Sequence, residues 1–247
     1  MTDRMTFIFY TMEAHMRNLI IIPVLLFSLC FGAPSFSADL SKGEIAYQNG
    51  DYATALKELM PLAEQGDAKA QWRLGWMFDY GDGILPEDDK QAVRWYTLAA
   101  EQGYAKAQHN LGQMYHFAEG VPKDDKEAVR WYTLAAEQGY ANAQMSLSEI
   151  AYQNGDYATA VKELIPLAEQ GHPQAQYNLG LFYAKGEGVI QDYVKAYMWW
   201  NIVAEETGHN SAKNNIKVLE EHHMNVFQIA DAQTRSTLCV KNNYKGC

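Results

Sequence analysis

The side chains best equipped for chemistry are seven histidines, three cysteines and several paired carboxylates. Their spacing argues against a reaction centre. His109 and His116 are seven residues apart, so on one helix they share a face but stand about 10.5 Å apart along the axis. One ion would need both imidazole nitrogens within about 2.1 Å. His222 and His223 are adjacent and diverge on a helix. Neither H-E-x-x-H nor C-x-x-C occurs, so neither metal nor cofactor is expected. Asp88-Asp89 and Asp124-Asp125 stand just before helical stretches, where carboxylates cap free N–H groups and favour the helix dipole. No G-x-S-x-G or S-x-x-K nucleophile accompanies them, and no catalytic residue is assigned. Gly81-Asp82-Gly83 and Gly186-Glu187-Gly188 lack the Lys-Ser or Lys-Thr of a phosphate loop, and their carboxylates would repel phosphate. They read as helix–helix turns.

The elements that position these residues are repeats. Glu44 to Gly66 returns as Glu149 to Gly171 with two changes, Leu56/Val161 and Met60/Ile165, and Ala92 to Tyr104 returns unchanged as Ala128 to Tyr140. Self-similarity on this scale marks a stack of supersecondary units, which usually works by offering an extended surface. About five units are expected, near 40–66, 67–103, 104–139, 140–171 and 172–208, with C-terminal capping helices and a tail over 209–247. Each unit is a first helix, a turn and a second helix. The fold class is therefore all-α, an α/α superhelical solenoid of helix-turn-helix repeats. On the second helix Ala92, Trp95, Leu98 and Ala99 form one apolar stripe. Leu74-Gly75, Leu111-Gly112 and Leu179-Gly180 share one register on the first helices, and Trp95, Trp131 and Trp200 are taken as matching core residues on the second. A mid-helix glycine costs about 1 kcal/mol relative to alanine, so its recurrence implies a close approach.

The pattern A-x-A-Q-x-x-L-G, then G-x-G-V, A-x-x-W and A-A-E-Q-G, over about residues 44–208, resembles the SEL-one-like repeat family of tetratricopeptide-type solenoids. His223 to Gln233 is similar to the capping helix found after such repeats. The resemblance implies a right-handed superhelix with the first helices lining a concave face, and adaptor roles, including signalling regulation and host-cell interaction among exported bacterial members. Disulfide-rich relatives have been assigned penicillin-binding or β-lactamase activity, but the repeats here carry no cysteine pairs.

If the first helices face a groove, the positions beside the register glycine point into it. These are Trp72, Trp76, Asp79 and Tyr80, then His109, Gln113, His116 and Phe117, then Met145, Glu149, Tyr152 and Gln153, and finally Tyr177, Leu181 and Lys185. Aromatic-rich positions of this kind suit a protein or peptide ligand. The competing reading is that half of them pack between adjacent first helices.

Thirty acidic against twenty basic residues give a net charge of −10. Such a surface repels nucleic-acid backbones and anionic membranes. Arg17, the apolar run Leu19 to Phe31 and the small residues up to Ala38 read as a signal peptide over 1–37, cleaved after Ser37, with translation starting at Met16. The run is too short for a stable membrane span, and Leu29 before Cys30 argues against a lipid anchor. Export to the periplasm or beyond makes a disulfide between Cys239 and Cys247 the expected state.

Overall fold

The structure, a computed structural model, describes residues 38–82 and 84–247. The expected targeting segment, with Met16 and Cys30, lies outside the described residues. Among them there are twelve helices and no strand. Ten form hairpins. These are α1 (Leu40–Gln48) with α2 (Tyr52–Glu64), α3 (Ala68–Tyr80) with α4 (Asp89–Glu101), and α5 (Ala105–Phe117) with α6 (Asp125–Glu137). Then come α7 (Ala141–Gln153) with α8 (Tyr157–Ala168), and α9 (Pro173–Lys185) with α10 (Tyr193–Thr207). The last two, α11 (Asn210–His222) and α12 (Val226–Lys241), both pack on α10. From α1 to α11 each helix packs on the next, which is the all-helical solenoid read from the repeats.

Local chemistry sets the helix ends. The side chain of Asp88 accepts the Gln91 N–H at 3.0 Å, and that of Asp124 accepts from Lys126 and Glu127. The two near-identical stretches fold alike. Asp51 and Asp156 cap α2 and α8 through Thr54 and Thr159, and Gly50 and Gly155 turn the chain at φ +74° and +75°. Left-handed residues end three first helices, Gly81, Ala118 and Gly186, of which only Ala118 carries a Cβ.

The register glycines make room for a ring from the second helix. A Cβ on Gly75, Gly112 or Gly180 would run into Tyr96, Tyr132 or Trp200 respectively. This corrects the expected match of Trp200 with Trp95 and Trp131. Trp200 is buried, but it takes the place of Tyr96 and Tyr132, and the true partner of Trp95 and Trp131 is Trp199, three residues after Ala196. Each of these three tryptophans joins the apolar cluster of the preceding unit, Trp95 with Leu59 and Ala63, Trp131 with Trp72 and Ala99, Trp199 with Val161 and Leu164. They are the wedges between units. Leu98 is not in the stripe, being 38% exposed, and Tyr96 takes its place inside.

Units one and four carry Glu58 and Glu163 at the wedge position. In the first unit Glu58 is buried, accepting from the Asp39 N–H and from Lys42 Nζ, an ion pair that holds its pKa down. In the fourth unit no tryptophan fills the seam between α6 and α8. An opening of about 600 Å³ remains, bordered by Val129, Thr133, Leu147, Ile150 and Glu163. At the C-terminus Cys239 and Cys247 are bonded, their Cα atoms 5.5 Å apart. The looped tail returns to the stack through Tyr244, whose hydroxyl meets Glu206 Oε1 at 2.5 Å, and through Gly246 N–H to Glu169.

Candidate binding cavities

The first helices place some of the expected groove residues at open cavities and lock others between units. Trp72 is a correction. It is only 6% exposed, and its indole N–H donates to Asn110 Oδ1 at 3.0 Å, so it spaces α3 from α5 and presents no open face. His109 is likewise buried, against the rings of Tyr132 and Tyr140 with Ser146 Oγ at 3.3 Å, and burial lowers its pKa to about 4. His116 turns to the start of α6 and meets Asp125 Oδ1 at 2.7 Å. Tyr177 packs on Trp200 and His209, and its hydroxyl accepts from Asn215, which ties α9 to α11. Trp76 is half-buried and stacks on Tyr80 with centroids 4.5 Å apart.

Gln153 lines neither cavity and donates back to Glu149 on its own helix, and the remainder line two cavities. One, of about 210 Å³, lies between α7 and α9. From α7 it takes Met145, Ser148, Glu149 and Tyr152, and from α9 Asn178, Leu181, Phe182 and Lys185. Its wall is largely apolar, with Lys185 Nζ 5.8 Å from the Tyr152 ring centre and 3.5 Å from Glu187 at the rim. The other, of about 360 Å³, lies between α3 and α5. Here Tyr80, Gln113 and Phe117 surround four carboxylates, Asp79, Glu87, Asp89 and Glu119. Burial first, and then the charges of Glu119, Asp89 and Glu87, raise the pKa of Asp79 to about 6, against a hydrogen bond from Tyr96 that favours the carboxylate. Among the described residues no three His, Cys, Asp or Glu side chains are placed to hold one metal ion.

The two cavities occupy one register. Asn110, Gln113, Met114, Phe117 and Glu119 correspond, 68 residues on, to Asn178, Leu181, Phe182, Lys185 and Glu187. Counting from the register glycine misses Asn110, Asn178, Met114 and Phe182, because these flank it on the side facing the preceding first helix. Their signal is in the sequence as N-L-G, with an acidic residue seven positions after the glycine.

A model of the Sel1 repeat matches residues 68–104, 105–140 and 173–206. Among solved structures, the Sel1 repeat protein from Oxalobacter formigenes is 30% identical, with a TM-score of 0.69, over 81% of this chain and 85% of that one. The protein c5321 of uropathogenic Escherichia coli, described as a protective antigen with an SLR fold, is 27% identical with a TM-score of 0.51. That match covers 83% of this chain and 54% of c5321. No curated protein matches the chain. Sel1-repeat proteins are in general protein-interaction scaffolds and typically non-catalytic. With its wedge tryptophans, ring-covered glycines and stacked hairpins, this chain belongs to the Sel1 repeat family.

Proposed function

We propose that the chain is an exported, non-catalytic scaffold that holds an extended segment of a protein partner across the first helices of its hairpins. The observation that carries this reading is the cavity between α7 and α9, where Met145, Tyr152, Leu181 and Phe182 surround space open to solvent. Residues of this type contribute large contact area at low entropic cost, and an apolar cavity rimmed by polar groups is the usual anchor of an interface. Asp79, Gln113 and Met114, the repeat-equivalents of Tyr152, Leu181 and Phe182, also border open space between α3 and α5, which extends the surface along the stack. No helix among the described residues is long and apolar enough to cross a membrane. The test is partner recovery from cell extract with Tyr152→Ala and Leu181→Ala together, alongside a variant changed at exposed Glu101 on α4. Loss of the partner with the first variant alone supports the groove, and equal recovery from both contradicts it. Export is tested by N-terminal sequencing of the protein from cells: a start at Ala38 supports it, and an intact Leu19–Phe31 run contradicts it.

A second reading, a secreted factor meeting host proteins, draws on the likeness to c5321, a protective antigen. Detection in culture medium without cell lysis would favour it over a periplasmic role.

A further inference from the structure

The two register-equivalent cavities differ in chemistry, and the difference specifies what one segment must carry to fill both. Between α7 and α9 Met145, Tyr152, Leu181 and Phe182 form an apolar wall. Of the two carboxylates beside it, Glu149 and Glu187, the second is paired with the one lysine, Lys185, which also donates to Tyr152. Between α3 and α5 the described lining contains four carboxylates and no basic side chain, with Tyr80 and Phe117, each 59% exposed, beside them. Carboxylates with aromatic faces at hand are complementary to a guanidinium or ammonium group, which gains both from the charges and from the ring quadrupoles. The chain as a whole is acidic, which adds long-range attraction for a basic partner.

We infer that the partner segment is a basic–apolar peptide, with an Arg or Lys seated between α3 and α5 and an aliphatic or aromatic side chain seated between α7 and α9. This rests on the groove reading above and deepens it. Adjacent first helices are in direct contact, through Trp72 and Asn110 for one pair and His109 and Ser146 for the next. At about 8–10 Å per packed helix pair, cavities two repeats apart are separated by about 16–20 Å. An extended chain rises about 3.3 Å per residue, so the cation and the apolar anchor stand about five or six residues apart.

Selection of random ten-residue peptides by phage display on the folded protein, followed by anisotropy titration of the winners, tests this. The expected result is enrichment of peptides with Arg or Lys and a large apolar residue at that spacing. Replacing either residue by Ala should weaken binding at least tenfold. Glu87→Lys with Glu119→Lys, both exposed, should weaken the basic peptides tenfold or more and leave the helical spectrum unchanged. Winners that are acidic or uncharged, or indifferent to Glu87→Lys with Glu119→Lys, overturn the basic–apolar assignment. If those same winners are lost with Tyr152→Ala plus Leu181→Ala, the groove itself stands. Winners indifferent to both pairs of substitutions, or no enrichment at all, overturn both.

Discussion

Gly112 lies under the ring of Tyr132 so closely that a Cβ built on it would stand 2.6 Å from Cε1 of that ring. Gly112→Ala therefore sets two effects against each other. Helix propensity favours alanine by about 1 kcal/mol, while overfilling a closed contact costs about 1–3 kcal/mol. The ring is fully enclosed, so the steric cost wins. Gly112→Ala should lower the urea midpoint, whereas a stabilised variant would mean that the ring moves freely.

Ala118 ends α5 at φ +64°, where the equivalent residues are Gly81 and Gly186. A left-handed conformation costs an L-residue about 1–2 kcal/mol. Part of that gain is returned as the greater freedom of glycine in the unfolded chain. Ala118→Gly should still raise the thermal midpoint by a degree or two, measured by circular dichroism.

The seam between α6 and α8 lacks the wedge that Trp131 and Trp199 supply elsewhere, and Glu163 stands in its register. Glu163→Trp should fill the opening, bury an indole against Leu147 and Ile150, and stabilise the chain by about 1–2 kcal/mol. A fall in the melting temperature would show that the two units are set too close for the ring.

Acid should act on two groups in opposite senses. His109 titrates near 4 when folded and near 6.5 when unfolded. The unfolded chain thus binds the extra proton, and stability present above 6.5 is lost as pH falls toward 4, up to about 3 kcal/mol at about 1.4 per pKa unit. Asp79, raised to about 6, holds its proton longer in the folded state, so its penalty is present above 6 and disappears toward 4. His109→Gln should flatten the acid limb of a stability–pH curve. Asp79→Asn should stabilise above pH 6 and change nothing near pH 4.

The architecture was legible because repeats display their own register. A-x-x-W fixes the wedge, L-G fixes the ring pocket, and Asp before the second helix fixes its cap. Misplacing Trp200 by one residue came from the Trp199-Trp200 pair, where an aromatic follows the wedge just as Tyr96 follows Trp95. The groove was only partly legible. Spacing along one helix gives a face, yet whether Trp72 or Tyr152 on that face is open depends on the neighbouring helix. Asn110 closes over Trp72, while Tyr152 is left 39% exposed. No single-helix periodicity carries that information.

Site-specific photocrosslinking in cells tests the central claim most directly. A photoreactive residue placed at Leu181, in the cavity between α7 and α9, should capture a discrete polypeptide, and one at exposed Glu101 or Glu137 on the second helices should not. Mapping the captured peptide should show the residue crosslinked to Leu181 within a short extended segment. Equal capture from the second helices, with none at Leu181, would contradict the account.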